Sequence, residues 1–229
     1  MEVKRIERKY ILNSLEAAWL KNRLAAVMPV DRYCVSPDGY EVRSLYFDTI
    51  CDSACAEKED GRQVHEKLRI RVYGSDDTMI KLESKRKDGE HQIKQSMTID
   101  RSLLQELCRG DYHGLLESED PMAAFFYEKL SCGRFPRVII RYRRFSYCVP
   151  TNNIRITFDS HIRATQAHAD LLQEPLLASP VLPQDIVILE VKYDRFLLGY
   201  IKETLAGLQQ SPVSYSKYYG SRRFSRYLL

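Results

Sequence analysis

The chain has 229 residues, 44% hydrophobic and 29% charged, with 35 Lys and Arg against 31 Asp and Glu. Ten glycines, nine prolines and 10% aromatics exclude collagen-like, coiled-coil and wholly disordered classes, and the length suits a single domain over 1–229. The net charge of +4 is unevenly spread: 134–163 holds seven Arg and one acid, 212–229 holds four basic residues and no acid, and the rest is net-acidic. Basic segments far apart in sequence suggest a shared anion site.

Residues 1–9 are charged with no apolar run behind them, so no signal peptide is expected. No stretch approaches the ~18 apolar residues of a membrane span, and the expected location is cytoplasmic. At the start, Arg5, Glu7 and Lys9 share one strand face against Ile6. A first helix is expected over Ser14–Met28, capped by Ser14 and stopped by Pro29, with Leu15, Ala18, Trp19, Leu24 and Val27 near one face. Short polar turns follow at Ser36–Gly39, Gly74–Asp77 and Lys87–Gly89. Further helices are expected over Arg101–Arg109 (capped by Asp100, ended by Gly110), Pro121–Cys132 and Arg195–Leu208. Gln166–Gln184, with three prolines and no period, is the loosest segment. At least eight strand-like runs lie between these helices, so the fold class is α+β, dominated by antiparallel sheet, with about four helices.

Alternate side chains of a strand point to opposite faces, so parity groups the charges. Lys67, Arg69 and Arg71 oppose Leu68, Ile70 and Val72. Lys81, Glu83, Lys85 and Lys87 oppose Ile80 and Leu82. Arg155, Thr157 and Asp159 oppose Ile154, Ile156 and Phe158, and Glu190, Lys192 and Asp194 oppose Leu189, Val191 and Tyr193. Any one strand could be an ordinary amphipathic strand with its charges in water. Together they stack Arg and Lys two and three deep, which destabilises a sheet unless an anion or acids compensate. A sheet curled into a barrel, charged face inward and helices outside, would meet that requirement as a basic tunnel for a polyanion.

The motifs behind this pattern run in order over nearly the whole chain: Arg5-Ile-Glu7-Arg-Lys9-Tyr10, Ser44-Leu-Tyr46-Phe-Asp48-Thr49, Lys67-Leu-Arg69-Ile-Arg71, Leu82-Glu83-Ser-Lys85-Arg-Lys87, Lys94, Tyr142-Arg-Arg144-Phe-Ser-Tyr147, Arg155-Ile-Thr157-Phe-Asp159, Leu189-Glu190-Val-Lys192 and Ser214-Tyr-Ser216-Lys217-Tyr218. In this the chain resembles the VTC (vacuolar transporter chaperone) domain, the polyphosphate polymerase branch of the triphosphate tunnel metalloenzyme superfamily. Arg5 stands where the wider superfamily has its first glutamate. The resemblance implies an eight-stranded antiparallel β-barrel tunnel with a charged lumen, using Mn2+ or Mg2+. The activity it implies is transfer of the terminal phosphoryl group of ATP onto polyphosphate; hydrolysis of tripolyphosphate or a nucleoside triphosphate, and polyphosphate binding without catalysis, are the alternatives. Arg69, Arg71, Arg144 and Arg155 are the expected bidentate clamps, with Lys9, Lys85, Lys94 and Lys217 as point charges. Lys81, Lys87, Tyr142, Lys192 and Ser216 are further substrate contacts. Glu190 is the expected metal ligand, with Glu7 and Glu83 either helping it or pairing with a neighbouring lysine. The family's eukaryotic proteins add a phosphate-sensing domain and membrane helices, which are not in this sequence, so either a membrane-protein partner or a different natural substrate is implied.

The remaining features have simpler readings. The six cysteines read as buried free thiols, and Cys51, Cys55 and His65 lack a second pair to complete a zinc site. His65, His91, His113, His161 and His168 read as surface residues. Asp48 and Asp159 read as partners of an arginine rather than of a metal. Tyr215, Tyr218, Tyr219 and Tyr227 read as wall packing rather than base stacking, so nucleic acid is not the expected partner. Arg222, Arg223 and Arg226 read equally as a solvated tail helix or as part of the site.

Overall fold

The computed structural model describes residues 5–74, 79–89, 91–167, 170–208 and 210–227. His168, the Ser75–Asp77 part of one expected turn, and the side chains of His91, Arg226 and Tyr227 lie outside the described residues.

The fold is α+β. The elements in chain order are β1 (Arg5–Asn13), α1 (Ser14–Ala25), β2 (Tyr40–Asp48), α2 (Ser53–Glu59), β3 (Val64–Tyr73), β4 (Ile80–Asp88), β5 (His91–Ile99), α3 (Arg101–Arg109), α4 (Ala123–Ser131), β6 (Phe135–Val149), β7 (Ile154–Gln166), β8 (Ser179–Pro180), β9 (Ile186–Asp194), α5 (Gly199–Ala206) and α6 (Lys217–Tyr227). Short 3-10 turns at His113–Leu115 and Thr151–Asn153 complete the described set. Backbone hydrogen bonds join eight strands in the order β1-β9-β7-β6-β2-β3-β4-β5, with the two-residue β8 pairing β7.

The chain divides into two compact units. The first comprises Met1–Glu41, Tyr142–Ile162 and Leu182–Tyr215; the second comprises Val42–Arg141, Arg163–Val181 and Ser216–Leu229. The first has a core of Leu12, Leu20, Leu24, Ile156, Phe158, Leu189, Val191 and Ile201, among others. In the second, Leu45, Phe47, Leu68, Ile70, Leu82, Met97, Leu104, Phe126 and Leu130 pack together. Both cores take the apolar parity of their strands and the buried stripe of their helices, leaving the opposite strand face to the charges.

Helix boundaries differ from the sequence expectation where local chemistry competes. The N-cap of α1 is Asn13, not Ser14. Its side chain accepts from the Glu16 amide at 2.9 Å, while Glu16 accepts from the Asn13 amide at 2.8 Å. This reciprocal pair satisfies two otherwise orphaned donors, which a Ser14 cap with Ala17 at its third position would not. The buried stripe of α1 is Ala17, Leu20 and Leu24, whereas Leu15 is 81% and Trp19 43% exposed. Trp19 instead lies against Gly207, where a Cβ would collide with the indole ring, and stacks beneath Arg23. In α3 the expected ends hold: Asp100 accepts from the Leu103 amide at 2.8 Å, and Gly110 closes the helix at φ 81°. The α4 helix starts two residues after Pro121, because Asp120 takes the Met122 amide into a turn. Residues 195–198 are not helical; α5 begins at Gly199, after Arg195 at φ 60°. The helix that the sequence reading does not anticipate is α2, whereas α6 carries the tail helix offered as one reading of Arg222, Arg223 and Arg226.

Candidate functional site

The strand register of the second unit builds a cationic face from three cross-strand rows. One row is Lys67–Lys85–Lys94, the next Tyr46–Arg69–Glu83–Ser96, the third Ser44–Arg71–Lys81–Thr98. Leu68, Ile70, Val72 and Leu82 are buried on the opposite parity. Glu83, at 1% exposure, is the acid on which this face is organised. Its Oε2 accepts from Arg69 Nε at 2.8 Å and lies 2.8 Å from Arg69 Nη2 and 3.8 Å from Arg71 Nη1. Its Oε1 lies 2.6 Å from Lys94 Nζ. Burial pushes the Glu83 carboxyl up, but Arg69, Arg71 and Lys94 outweigh it and bring the pKa down to about 2.

Tyrosines back the arginines. Arg69 Nη1 donates to the Tyr46 hydroxyl at 3.1 Å and lies over its ring; Arg71 lies over Tyr73 and donates to its hydroxyl at 3.5 Å. Burial raises the Tyr46 phenol, yet Arg69, Arg71 and Lys67 overcome it and lower its pKa to about 8. The same contacts fix two guanidinium planes that would otherwise sample many rotamers. Lys67 Nζ donates to Ser216 Oγ at 3.0 Å. Lys87 lies one row beyond, opposite His65, and is exposed. Lys217 is half-buried at the first turn of α6.

The first unit presents a different face. Here the rows are Glu7–Lys192–Arg155 and Lys9–Glu190–Thr157. Two carboxylates and two ammonium groups alternate: Lys192 Nζ lies 3.0 Å from Glu190 Oε1 and 3.9 Å from Glu7 Oε2, and Lys9 Nζ lies 3.1 Å from Glu7 Oε1 and 3.9 Å from Glu190 Oε1. Lys9 also donates to the Tyr215 carbonyl at 3.1 Å. Burial would raise the Glu190 carboxyl, but Lys192, a hydrogen bond with Glu7, Lys9 and Arg144 hold it well below the usual carboxylate range. Arg144 forms a buried bidentate pair with Asp159, Nε–Oδ1 2.7 Å and Nη2–Oδ2 2.8 Å, above the ring of the buried Tyr142. Gly39, at φ 78°, lets its loop lie on the Arg144 carbonyl where any Cβ would clash. Arg155 Nη2 lies 2.7 Å from Asp31 Oδ2 and donates to the Tyr40 hydroxyl at 3.1 Å.

The donor chemistry suits a hard divalent cation at Glu7 and Glu190, since Mg2+ and Mn2+ take one or two carboxylates and complete their shells with phosphate and water oxygens. Glu83 fits that role less well, because cations lie within 2.8 Å of both of its oxygens, whereas Arg144 stands 3.9 Å from Glu190 Oε2 and Lys192 3.9 Å from Glu7 Oε2. Among the described residues no three His, Cys, Asp or Glu converge as a metal cluster, which includes Cys51, Cys55 and His65. None of the six cysteines is in a disulfide, but the expected burial holds only for Cys55: Cys51 and Cys132 are exposed, and Cys34, Cys108 and Cys148 are half-buried.

Two readings from sequence change here. Among the described residues Asp48 pairs with no arginine: it accepts from Thr49 N at 2.8 Å, Ser53 Oγ at 3.1 Å, Ala54 N at 3.0 Å and Tyr218 Oη at 2.5 Å, tying α2 to α6. Arg222 is not a solvated tail residue. It is buried and bidentate to Asp52, at 3.0 and 2.9 Å, with Arg137 3.3 Å from the same carboxylate. Arg223 is exposed, over the Tyr219 ring. Tyr46 stands in the second-strand motif with no role assigned to it, and Asp31 and Tyr40 are absent from the sequence reading; parity with Ser44 could have placed Tyr46 on this face, whereas Asp31 lies in a loop with no period to reveal it.

The VTC domain family model matches residues 4–225. No curated protein sequence matches the chain significantly. Among solved structures, a proposed adenylate cyclase from Bacillus halodurans superposes with a TM-score of 0.53 at 11% identity, covering 93% of this chain and 95% of that one. A second, a proposed adenylate cyclase from Vibrio parahaemolyticus, gives 0.51 at 12% identity over 97% and 99%. At such identities the likeness is one of fold. The family model spans both faces and every motif that carries them, and the chain belongs to the VTC domain family.

Proposed function

We propose that the protein is a metal-dependent phosphotransferase that makes polyphosphate from ATP, with one VTC domain as the functional unit. The observation that carries this reading is the row Lys67–Lys85–Lys94. Three lysines abreast, Lys94 on Glu83 and Lys67 on the Ser216 hydroxyl, concentrate positive charge on one strand face, which a polyanion would offset. A phosphate chain carries about one negative charge per unit and offers oxygens to every guanidinium fork on this face.

In this reading Arg69, Arg71, Arg144 and Arg155 clamp phosphoryl oxygens, each already oriented by an acid or a tyrosine. Lys9, Lys85, Lys94 and Lys217 neutralise charge, and Lys81, Lys87, Tyr142, Lys192 and Ser216 complete the contacts. Glu190 and Glu7 would hold Mn2+ or Mg2+, which when bound neutralises charge on the phosphates. Glu83 acts as the counter-ion that sets Arg69 and Lys94 in place. Phosphoryl transfer asks the protein for alignment and charge stabilisation rather than a protein nucleophile, and these faces supply both. Among the described residues no helix is long and apolar enough to cross a membrane; we read the domain as acting at the cytoplasmic side, alone or with a membrane-protein partner.

The test is incubation of the pure protein with ATP and Mn2+ followed by phosphorus NMR. New polyphosphate supports the reading. Orthophosphate alone from tripolyphosphate would replace it with a hydrolase, and binding of polyphosphate without turnover would replace it with a binding module. Glu190→Gln should abolish turnover while largely sparing anion binding, and an unchanged rate would remove Glu190 from the metal site.

A further inference from the structure

We propose that Thr157 is a further phosphate-contacting residue, a hydroxyl donor that takes a phosphoryl oxygen of the bound chain beside Arg155; this rests on the polyphosphate reading above. Thr157 is 2% exposed, and its Oγ1 is buried without a hydrogen-bond partner among the described residues. A buried hydroxyl left unpaired costs about 1–3 kcal/mol, so its retention needs a reason. Valine would fill the same volume in a strand without that cost.

Position supplies the reason. Thr157 lies directly across from Glu190, which lies across from Lys9, so the hydroxyl stands at the end of the Lys9–Glu190 row. Arg155, two residues earlier on the same face, pairs with Lys192 in the neighbouring row. Arg155 Nε is likewise buried and without a hydrogen-bond partner, although its Nη2 has three. Two unmet donors on one strand face, two residues apart, match an oxyanion rather than a cation. The ammonium groups of Lys9 and Lys192 rest on Glu7 and Glu190. An arriving phosphate chain competes for both, and their withdrawal from the carboxylates opens the row to the ligand.

The experiment pairs Thr157→Val with Thr157→Ser and Thr157→Ala, reading thermal stability without ligand and tripolyphosphate affinity by calorimetry. Without ligand, the valine variant should be as stable as wild type or more so. Its affinity should fall about tenfold, the loss expected for one hydrogen bond to a charged group, and Thr157→Ser should restore it. Thr157→Ala should show the same loss of affinity, which keeps the test intact if valine impairs folding. Equal affinity in wild type and Thr157→Val overturns the proposal alone. A valine variant destabilised without ligand and rescued by serine also overturns it, because the hydroxyl would then already be satisfied in the free protein. A wild-type protein that fails to bind tripolyphosphate overturns the polyphosphate reading, and this assignment with it.

Discussion

Glu83→Gln is the substitution that most directly separates a counter-ion from a metal ligand. The side chain is 1% exposed, and Arg69, Arg71 and Lys94 bring its pKa from 4.5 to about 2. At 1.36 kcal/mol per unit that shift corresponds to about 3 kcal/mol of native-state stabilisation. Glutamine keeps the shape and one acceptor for Arg69, so the expected loss at neutral pH is about 2 kcal/mol. The sign with pH follows from the direction of the shift. A carboxyl with a depressed folded pKa contributes fully above its unfolded value and loses that contribution as pH falls through the folded one. Urea denaturation of both proteins should therefore show a gap that is constant from pH 7 to about 5 and closes between about pH 4.5 and 2. The variant should also bind tripolyphosphate more tightly at low salt, since the face gains positive charge, while its Mn2+ affinity stays that of wild type. Equal stability at pH 7, or a gap that persists to pH 2, would refute the ion-pair reasoning. A loss of Mn2+ affinity would return Glu83 to the metal site.

Tyr46, with a pKa near 8, should ionise about two units before an ordinary tyrosine. Ultraviolet titration should show one early phenol that disappears in Tyr46→Phe, and the stability gap over that variant should widen from pH 8 to 10, because a depressed acid stabilises the fold above its folded pKa. Tripolyphosphate should delay this ionisation by neutralising Arg69 and Arg71. Arg222→Ala should cost about 2–3 kcal/mol by chemical denaturation, since it removes two charge-assisted hydrogen bonds and leaves the buried Asp52 carboxylate to Arg137; a loss below about 1 kcal/mol would make the pair peripheral. Arg69→Ala should weaken tripolyphosphate binding at least tenfold, whereas Arg223→Ala, an exposed residue, should leave it within twofold. Equal effects would remove Arg69 from the binding face.

The strand faces were legible because side-chain alternation is a local property of extended backbone. Lys67, Arg69 and Arg71 had to oppose Leu68, Ile70 and Val72 whatever else the chain did. The same holds for Asp100 and Gly110 at the ends of α3, where capping depends on neighbours a few residues away. Helix rotation is not local in that sense. Nothing within 14–28 chooses Ala17, Leu20 and Leu24 over Leu15 and Trp19 as the buried stripe; that choice belongs to the surface α1 packs against. Nor could parity assign partners among charges on one face. That Asp159 takes Arg144, that Glu83 takes Arg69 and Lys94, and that Arg222 takes an aspartate 170 positions away follow from the register of strands and the docking of α6. The residues, their order and their parity identified the family and motivate the polyanion reading. Tertiary structure alone decided which cations are already paired, which tyrosines orient them, and that the buried Thr157 hydroxyl has no hydrogen-bond partner among the described residues, because ion pairs and hydrogen bonds are settled by distance in space.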